Sequence, residues 1–211
     1  TNAAYYGVLK VMEDMATVLE KKKDVKKYGQ KAEALKKAIN DNFWVEEDGY
    51  YASYLYGRQN LTRTQQSETL GESFCVLFGI ADEERAAKVI SSMPVGEFGP
   101  PIFSPQIVSQ PDYHNNGVWP YVTSFWGKAA AKVGNETALM HALACNVRTA
   151  SIYATNYENY SFNTGNPYTT QINSPNMLWG LSGFMGLFHR TFFGLEFTKE
   201  GLALKPFVPT V

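Results

Sequence analysis

One glutamate stands alone in a long neutral stretch in the second half of the chain. Glu158 is the only acidic residue between Tyr153 and His189, and tyrosines flank it at positions 157 and 160. A carboxylate among aromatic side chains can serve as a general acid or base toward a bound ligand. A glutamate in a loop can equally be a solvated surface charge. The residues around Glu158 leave both interpretations open.

A second segment, YHNNGVWP (113–120), combines aromatic rings with amide and imidazole groups. Rings cover the apolar face of a sugar, while amides and imidazoles hydrogen-bond to its hydroxyl groups. This mixture favours a neutral, amphipathic ligand such as a carbohydrate. The structural alternative is that Asn116-Gly117 forms a turn and that Trp119 packs in the core. The ligand-binding candidates of this segment are Tyr113, His114, Asn115, Asn116 and Trp119.

Other polar candidates lie at the entrances of apolar helical patterns. Gln66 and Glu68 precede one such pattern, and Glu72 is the lone charge inside it. A buried acid must be paired or functional, although a position at the rim of the helix would also explain Glu72. The candidates near Glu158 and the last apolar pattern are Tyr160, Gln171, Asn173 and Trp179. Asn173 could instead extend a helix cap, and Trp179 could belong to the core.

The sequence lacks the motifs of several other kinds of functional site. The sequence contains no G-x-S-x-G, Walker-type or C-x-x-C motif, which disfavours serine hydrolases, nucleotide-binding proteins and zinc sites. His114 is a poor metal ligand candidate because His141 and His189 lie in helical patterns far along the chain. Cys75 and Cys145 lie inside apolar helical patterns, so we expect both thiols to be free and buried. No metal or organic cofactor is expected.

The balance of charges argues against a nucleic-acid partner. The 211 residues include 19 Lys plus Arg and 20 Asp plus Glu, a net charge of −1, whereas phosphate binding requires a basic excess or stripe. The longest uncharged run, 159–189, is interrupted by Pro, Asn, Thr and Gly and cannot span a membrane. Aromatic residues make up 14% of the chain, which fits either a neutral ligand or a large aromatic core.

Seven helical patterns predict a mainly α fold that positions these candidates. The nearly all-apolar patterns lie at 5–19, 69–78, 119–133 and 175–192, and one-sided amphipathic patterns alternate with them at 25–42, 83–93 and 136–152. A toroid of helical hairpins requires this alternation, with the apolar helices buried in the ring. Long loops then enter the inner helices on one face. Short β-hairpins are expected at 43–57 and in the tail, the latter with a turn at 199–201.

Three parts of the sequence resemble the six-hairpin glycosidases, the helical-toroid glycoside hydrolases that include mannosylglycerate-hydrolase-like, glycogen-debranching, trehalase-like and rhamnosidase-like enzymes. These parts are residues 111–135, residues 156–197, and residues 1–16 together with 34–51. YHNNGVWP and the E-x-Y…T-G…W spacing are the most specific features. The resemblance implies the C-terminal part of an (α/α)6 toroid, with residues 1–194 in the barrel and 195–211 as a β-hairpin tail.

The resemblance further implies that Glu158 is the general base of an inverting glycoside hydrolase acting on an α-linked oligosaccharide or glycoside. Inversion needs a second carboxyl group, the general acid, about 6.5–9.5 Å from the base. In the family this acid comes from a segment ahead of the first helix found here, and Asp41, Asp48 and Asp112 lie in no matching motif. A complete toroid has twelve helices. We therefore expect an inactive fragment whose partners are a carbohydrate and the N-terminal part of its own chain.

Two other functions remain open at this point. A non-catalytic carbohydrate-binding or scaffold domain would use the same aromatic loops without cleaving its ligand. A polysaccharide lyase would need a Tyr or His base beside a cation that neutralises a uronate, and the loops contain no Arg cluster. The resemblance alone favours a periplasmic or secreted location over a cytoplasmic one, and the residues themselves leave the location undetermined.

Overall fold

The computed structural model describes residues 1–198 and 200–210, and within them seven α-helices, one π-helical segment and ten short strands. The α-helices are α1 (Asn2–Val18), α2 (Lys22–Asn42), α3 (Thr69–Leu77), α4 (Glu83–Ser92), α5 (Pro120–Lys132), α6 (Glu136–Tyr153) and α7 (Leu178–Gly186). The π-helical segment (Leu187–Phe192) continues α7 directly. The mainly α fold predicted from the sequence is confirmed, and every predicted helix is present.

The strands form five antiparallel pairs of two strands each. The pairs are β1 (Trp44–Val45) with β2 (Tyr50–Tyr51), β3 (Leu55–Tyr56) with β4 (Thr62–Arg63), β5 (Ser67–Glu68) with β6 (Phe103–Ser104), β7 (Gly117–Val118) with β8 (Tyr160–Ser161), and β9 (Leu195–Thr198) with β10 (Gly201–Leu204). Both predicted hairpins are therefore confirmed. The turn expected at 199–201 includes Lys199, which lies outside the described residues.

Local signals explain where several helices begin and end. The side chains of Asp82 and Asn135 each accept a hydrogen bond from a backbone N–H in the first turn of the helix that follows, at 2.9 and 3.0 Å. Pro120 occupies the first position of α5, where its missing N–H costs nothing. Gly134 follows the end of α5 with a φ of +73°, a conformation that favours glycine.

The helices pack as an arc of two layers. Helices α1, α3, α5 and α7 contact one another in that order, and α2, α4 and α6 each pack against the preceding member of this row. Helix α2 buries only Ala32 and Ile39 along its length, as an outer helix should. The described residues form an open arc and no closed barrel.

The main hydrophobic core fills the space between the two layers. Ala129, Leu139 and Ala142 are completely buried where α5 meets α6. A Cβ atom added at Gly127 would lie 2.7 Å from that of Ala142, so these helices approach one another closely. A second, smaller cluster of Ile102, Trp119 and Val122 lies at the start of α5, and it forms the base of the candidate site.

Two of the apolar helices are exposed along one side. Tyr5, Val8 and Met15 of α1 are each more than half exposed, and Leu178 of α7 is 76% exposed. The expectation that the helix at 175–192 is buried on most sides is therefore wrong. Both helices lie at the ends of the arc, where no neighbour among the described residues covers them. None of the described helices combines the length and the apolar composition needed to cross a membrane.

Candidate active site

The β7–β8 pair brings the two candidate segments together. Val118 pairs with Tyr160, and Gly117 pairs with Ser161. Because the pairing is antiparallel, the chain just before β8 runs alongside the chain just after β7. Glu158 is thereby placed at the level of the first turn of α5. The loops entering α5 and α7 therefore share one surface, as expected for loops entering neighbouring inner helices.

Aromatic rings from the loop before α5 and from helices α5 and α7 form one cluster. The ring centroids of Tyr113 and His114 are 4.5 Å apart, and those of His114 and Trp119 are 5.1 Å apart in a stacked arrangement. Trp179 of α7 packs edge-on against Trp119 at 5.5 Å and contacts Tyr121 at 4.7 Å. Trp119 is 6% exposed, so it forms the base of the cluster. The His114 ring lies on the exposed side.

Glu158 is half-buried at the edge of this aromatic cluster. Its backbone N–H donates a hydrogen bond to the carbonyl oxygen of Ser174 at 3.0 Å, which holds it against the loop before α7. Burial raises the pKa of the Tyr113 phenol, and the nearby Glu158 charge raises it further. Within residues 1–198 and 200–210, no group hydrogen-bonds to the Glu158 carboxylate. That carboxylate is free to hold a solvent molecule or a ligand.

Two asparagines fix the backbone on the C-terminal side of Glu158. The Asn173 amide nitrogen donates to the carbonyl oxygens of Asn159 and Pro167, each at 2.7 Å. Asn159 is completely buried, and its own amide nitrogen donates to a carbonyl oxygen of the loop before α7 at 3.0 Å. The Asn173 side chain therefore organises this loop, whereas the sequence suggested a ligand contact or a cap extension.

Asp112 connects three segments at the site. Its Oδ1 accepts a hydrogen bond from Asn116 Nδ2 at 2.8 Å, and its Oδ2 accepts one from Ser161 Oγ at 2.7 Å. Its carbonyl oxygen accepts the backbone N–H of Gln171 at 2.8 Å. In the sequence, Asp112 is an acid that lies in no motif matching the general acid of the family. Its position four residues before Asn116, in the same turn-rich segment, is the one sequence signal that points to this role.

Three of the predicted ligand-binding residues use their polar groups inside the protein. Asn115 is buried, its Oδ1 accepts a backbone N–H at 2.7 Å, and its amide nitrogen donates to two backbone carbonyls. Tyr160 is completely buried, and its hydroxyl accepts the backbone N–H of Tyr157 at 3.2 Å. The Glu68 carboxylate accepts two backbone N–H groups in the first turn of α3, at 2.7 and 3.0 Å. Glu68 therefore caps α3, which begins at Thr69 as the apolar pattern predicts.

The turn predicted at the centre of the YHNNGVWP segment is present. Asn116 has a φ of +51°, and a Cβ atom at Gly117 would lie 1.8 Å from the carbonyl oxygen of Tyr113. The segment is thus both a tight turn and part of the aromatic cluster. Of the remaining candidates, Gln66 donates its side-chain amide to the carbonyl oxygen of Pro105 at 2.8 Å, and the Gln171 side chain is exposed.

Glu68 and Glu72 line a separate cavity of about 360 Å³. This cavity lies between the start of α1, the end of α2 and the start of α3. Glu72 Oε1 accepts the backbone N–H of Tyr51 at 2.7 Å, while Oε2 is buried and has no hydrogen-bond partner among the described residues. Burial raises the pKa of Glu72 well above its ordinary value, so the carboxyl is held in its neutral form.

No group of three or more His, Cys, Asp or Glu side chains could hold a metal ion in the part of the chain that the structure describes. Cys75 and Cys145 are free and buried, as predicted. Burial raises the pKa of the Cys145 thiol to about 11. Neither thiol has the environment of a reactive nucleophile.

The fold is similar to that of a solved structure described as "Sialidase", with a TM-score of 0.72 and 15% sequence identity over 92% of this chain. The chain spans 19% of the length of that structure, and at this identity the similarity concerns the fold alone. No curated protein matches the chain. Residues 1–180 match the family model of the "Mannosylglycerate hydrolase MGH1-like glycoside hydrolase domain". The chain therefore belongs to the MGH1-like glycoside hydrolase family.

Proposed function

We propose that this chain is the C-terminal part of an enzyme that hydrolyses an α-linked oligosaccharide or glycoside with inversion, and that Glu158 is its general base. The observation that supports this most directly is the free carboxylate of Glu158 at the edge of the aromatic cluster. A water molecule hydrogen-bonded there would lose its proton to Glu158 as it attacks the anomeric carbon. A second carboxyl group would protonate the departing oxygen from the opposite side of the sugar ring.

The aromatic cluster supports a carbohydrate as the substrate. Trp119 supplies a fixed base, and Tyr113 and His114 add ring surface together with a phenol and an imidazole that can hydrogen-bond to hydroxyl groups. Trp179 forms a wall on the α7 side. We assign substrate contact to these residues and to the more exposed Asn116 and Gln171. Asn115, Tyr160 and Gln66 use their polar groups to hold loop backbone, and Glu68 caps α3, so we assign none of the four to substrate contact.

The proposed reaction needs a general acid from elsewhere. Asp41 forms an ion pair with Lys37 at 2.5 Å, and both carboxylate oxygens of Asp112 are hydrogen-bonded. We propose that the acid belongs to an N-terminal part of the same protein. The exposed apolar sides of α1 and α7 support this, because the further helices of a closed toroid would cover them. Residues 1–211 alone should then bind a glycan without cleaving it.

A non-catalytic carbohydrate-binding domain is the second candidate. Among the described residues, Glu158 alone brings a free carboxylate to the aromatic cluster. Binding needs no second carboxyl group, whereas inverting hydrolysis does. The two functions make different demands on Glu158. A general base is indispensable for turnover, whereas a binding domain would lose only a hydrogen-bond acceptor.

The test is Glu158→Gln in the complete protein that carries this domain. The amide keeps the size and polarity of the side chain but cannot take up a proton, so kcat should fall by about 10²–10⁴-fold while glycan binding persists. Turnover is measured on aryl glycosides and oligosaccharides, and binding is measured by calorimetry. Proton NMR of the first product anomer reports whether the configuration inverts.

Glu47→Gln is the matched control, since Glu47 is an exposed glutamate in the turn between β1 and β2. It should behave as the wild type. Near-wild-type turnover by Glu158→Gln would refute the assignment of the base. Glycan binding by a wild-type complete protein that hydrolyses none of the substrates would favour the binding domain instead.

A further inference from the structure

We infer that Asp112 is a positioning residue: its carboxylate sets the spacing between Glu158 and the aromatic segment that binds the sugar. This inference rests on the proposed function of Glu158. Asp112 does not contact the reacting atoms in this assignment. It acts through the two side chains that its oxygens bind, Asn116 and Ser161.

The two hydrogen bonds of the Asp112 carboxylate reach different functional segments. Ser161 ends β8 and lies three residues after Glu158, which belongs to the loop just before this strand. Asn116 lies in the turn between His114 and Trp119. The distances of 2.7 and 2.8 Å are those of charge-assisted hydrogen bonds, which are stronger than neutral ones. One carboxylate therefore joins the proposed base to the proposed binding segment.

The backbone pairing between these segments is too short to fix their spacing alone. Strands β7 and β8 contain two residues each, and such a short ladder is a weak constraint. Phe162 N–H donates to the carbonyl oxygen of Asn116 at 2.8 Å and extends the pairing by one bond. The Asp112 carboxylate adds a side-chain bridge, and its carbonyl oxygen binds the third segment through Gln171.

Catalysis depends on this spacing because the base must hold water at the anomeric carbon of a sugar that other residues hold. A misplacement of about 1 Å lowers a rate by about 10²-fold. The two bonds should have separable effects. Loss of the Ser161 bond releases β8, the strand that directly follows Glu158, and should lower kcat. Loss of the Asn116 bond releases the aromatic segment and should raise KM.

Three variants of the complete protein separate these effects on whichever aryl glycoside it hydrolyses. Ser161→Ala should lower kcat by about tenfold and leave KM within about twofold, because it frees only β8 and the adjoining loop that carries the base. Asp112→Ala should lower kcat by about 10–100-fold and also raise KM several-fold. Asp112→Asn should remain within about threefold of the wild type. Its amide oxygen can accept from Asn116, and its NH₂ can donate to the Ser161 hydroxyl, which accepts as well as donates.

One further variant serves as a control for loss of stability. Asp82→Ala removes an N-cap of α4 and should lower the melting temperature without changing kcat or KM, which calibrates a purely structural loss. Wild-type kcat and KM in Asp112→Ala, or an Asp112→Asn variant as impaired as Asp112→Ala, would overturn the positioning role. Loss of activity in step with the melting temperature, as for a destabilised fold, would also overturn it.

Glu158→Gln separates this inference from the proposed function. If Glu158→Gln hydrolyses the substrate normally, the proposed function fails and the role of Asp112 fails with it. If Glu158→Gln is inactive while Asp112→Ala is unimpaired, the proposed function stands and only the positioning role is wrong. The positioning role is supported if Ser161→Ala lowers kcat without changing KM and if Asp112→Asn keeps the activity that Asp112→Ala loses.

Discussion

Glu72 and Glu158 are both solitary acids in their surroundings, but their carboxyl groups lie in opposite environments. Glu72 is completely buried on α3 with one oxygen unpaired, so burial keeps it neutral. Glu158 is half-buried with a free carboxylate. The sequence singled out both residues, and it could not distinguish them because burial is a property of the packed helices. It likewise could not show that Asn115 and Glu68 use their polar atoms internally.

The raised pKa of Glu72 predicts how stability depends on pH. The folded chain keeps this proton after the unfolded chain has lost it, so the free energy of unfolding falls as pH rises above 4.5, the ordinary value for Glu. Glu72→Gln keeps the acceptor for the Tyr51 N–H and cannot ionise. Its free energy of unfolding should match that of the wild type at pH 4 and exceed it increasingly toward pH 8.

Urea denaturation between pH 4 and pH 8 measures this difference. Glu47→Gln serves as the control because Glu47 is exposed, and its curve should run parallel to that of the wild type. A constant difference between Glu72→Gln and the wild type across the pH range would contradict a neutral, buried Glu72.

At the scale of elements, the helices and the two predicted hairpins follow their local signals, whereas the β7–β8 pairing does not. Helix α6 begins after Asn135 as its cap predicts. Helix α7 begins at Leu178 and not at 175, because Asn176 has a φ of +57° and still belongs to the loop. The β7–β8 pair joins two-residue strands from distant loops, and no alternation of apolar residues announces it. The register of this pair depends on tertiary contacts, so the sequence placed both site segments on one face without predicting their direct pairing.

The close contact of α5 with its neighbours predicts an unusual response to Gly127→Ala. Alanine favours a helix over glycine by about 1 kcal/mol. A methyl group here, however, would lie 2.7 Å from the Ala142 Cβ and 3.2 Å from the Leu187 side chain, and overpacking costs about 1–3 kcal/mol. We expect a net loss in the free energy of unfolding, measured by urea denaturation.

Gly186→Ala is the matched control at the end of α7, where an added Cβ atom meets nothing within 4 Å. It should leave stability unchanged or raise it by up to about 1 kcal/mol. Equal stabilisation by both alanines would show that α5 can move away from α6, contrary to the tight packing described here.

At the scale of the whole molecule, the described residues form an arc whose two ends present apolar side chains. The sequence predicted alternating inner and outer helices, and the seven helices and their order are confirmed. It also predicted buried apolar helices, which holds for α5 but not for α1 or α7. Hydrophobic periodicity records which side of a helix is apolar. It does not show whether the residues that cover this apolar side lie within the same 211 residues.

Val8→Glu tests whether the exposed side of α1 is covered in the complete protein. Val8 is 55% exposed here, so the substitution should change the free energy of unfolding of residues 1–211 by no more than about 0.5 kcal/mol. In the complete protein, a closed toroid would bury this charge. The free energy of unfolding should then fall by several kcal/mol, enough to unfold the domain. Val108→Glu, at a 90% exposed loop valine, should be neutral in both. Equal tolerance of Val8→Glu in both proteins would contradict closure over α1.

The bridge between the loops before α5 and α7 also limits how this site can diversify. Asp112 on one loop hydrogen-bonds to Ser161 on the other, Gly117 pairs with Ser161 in the β7–β8 ladder, and Glu158 lies three residues before Ser161. An inserted or deleted residue within 112–117 or within 158–161 would shift the residues of one loop relative to their partners on the other. We therefore expect relatives to differ in side chains within these intervals and to differ in loop length only outside them.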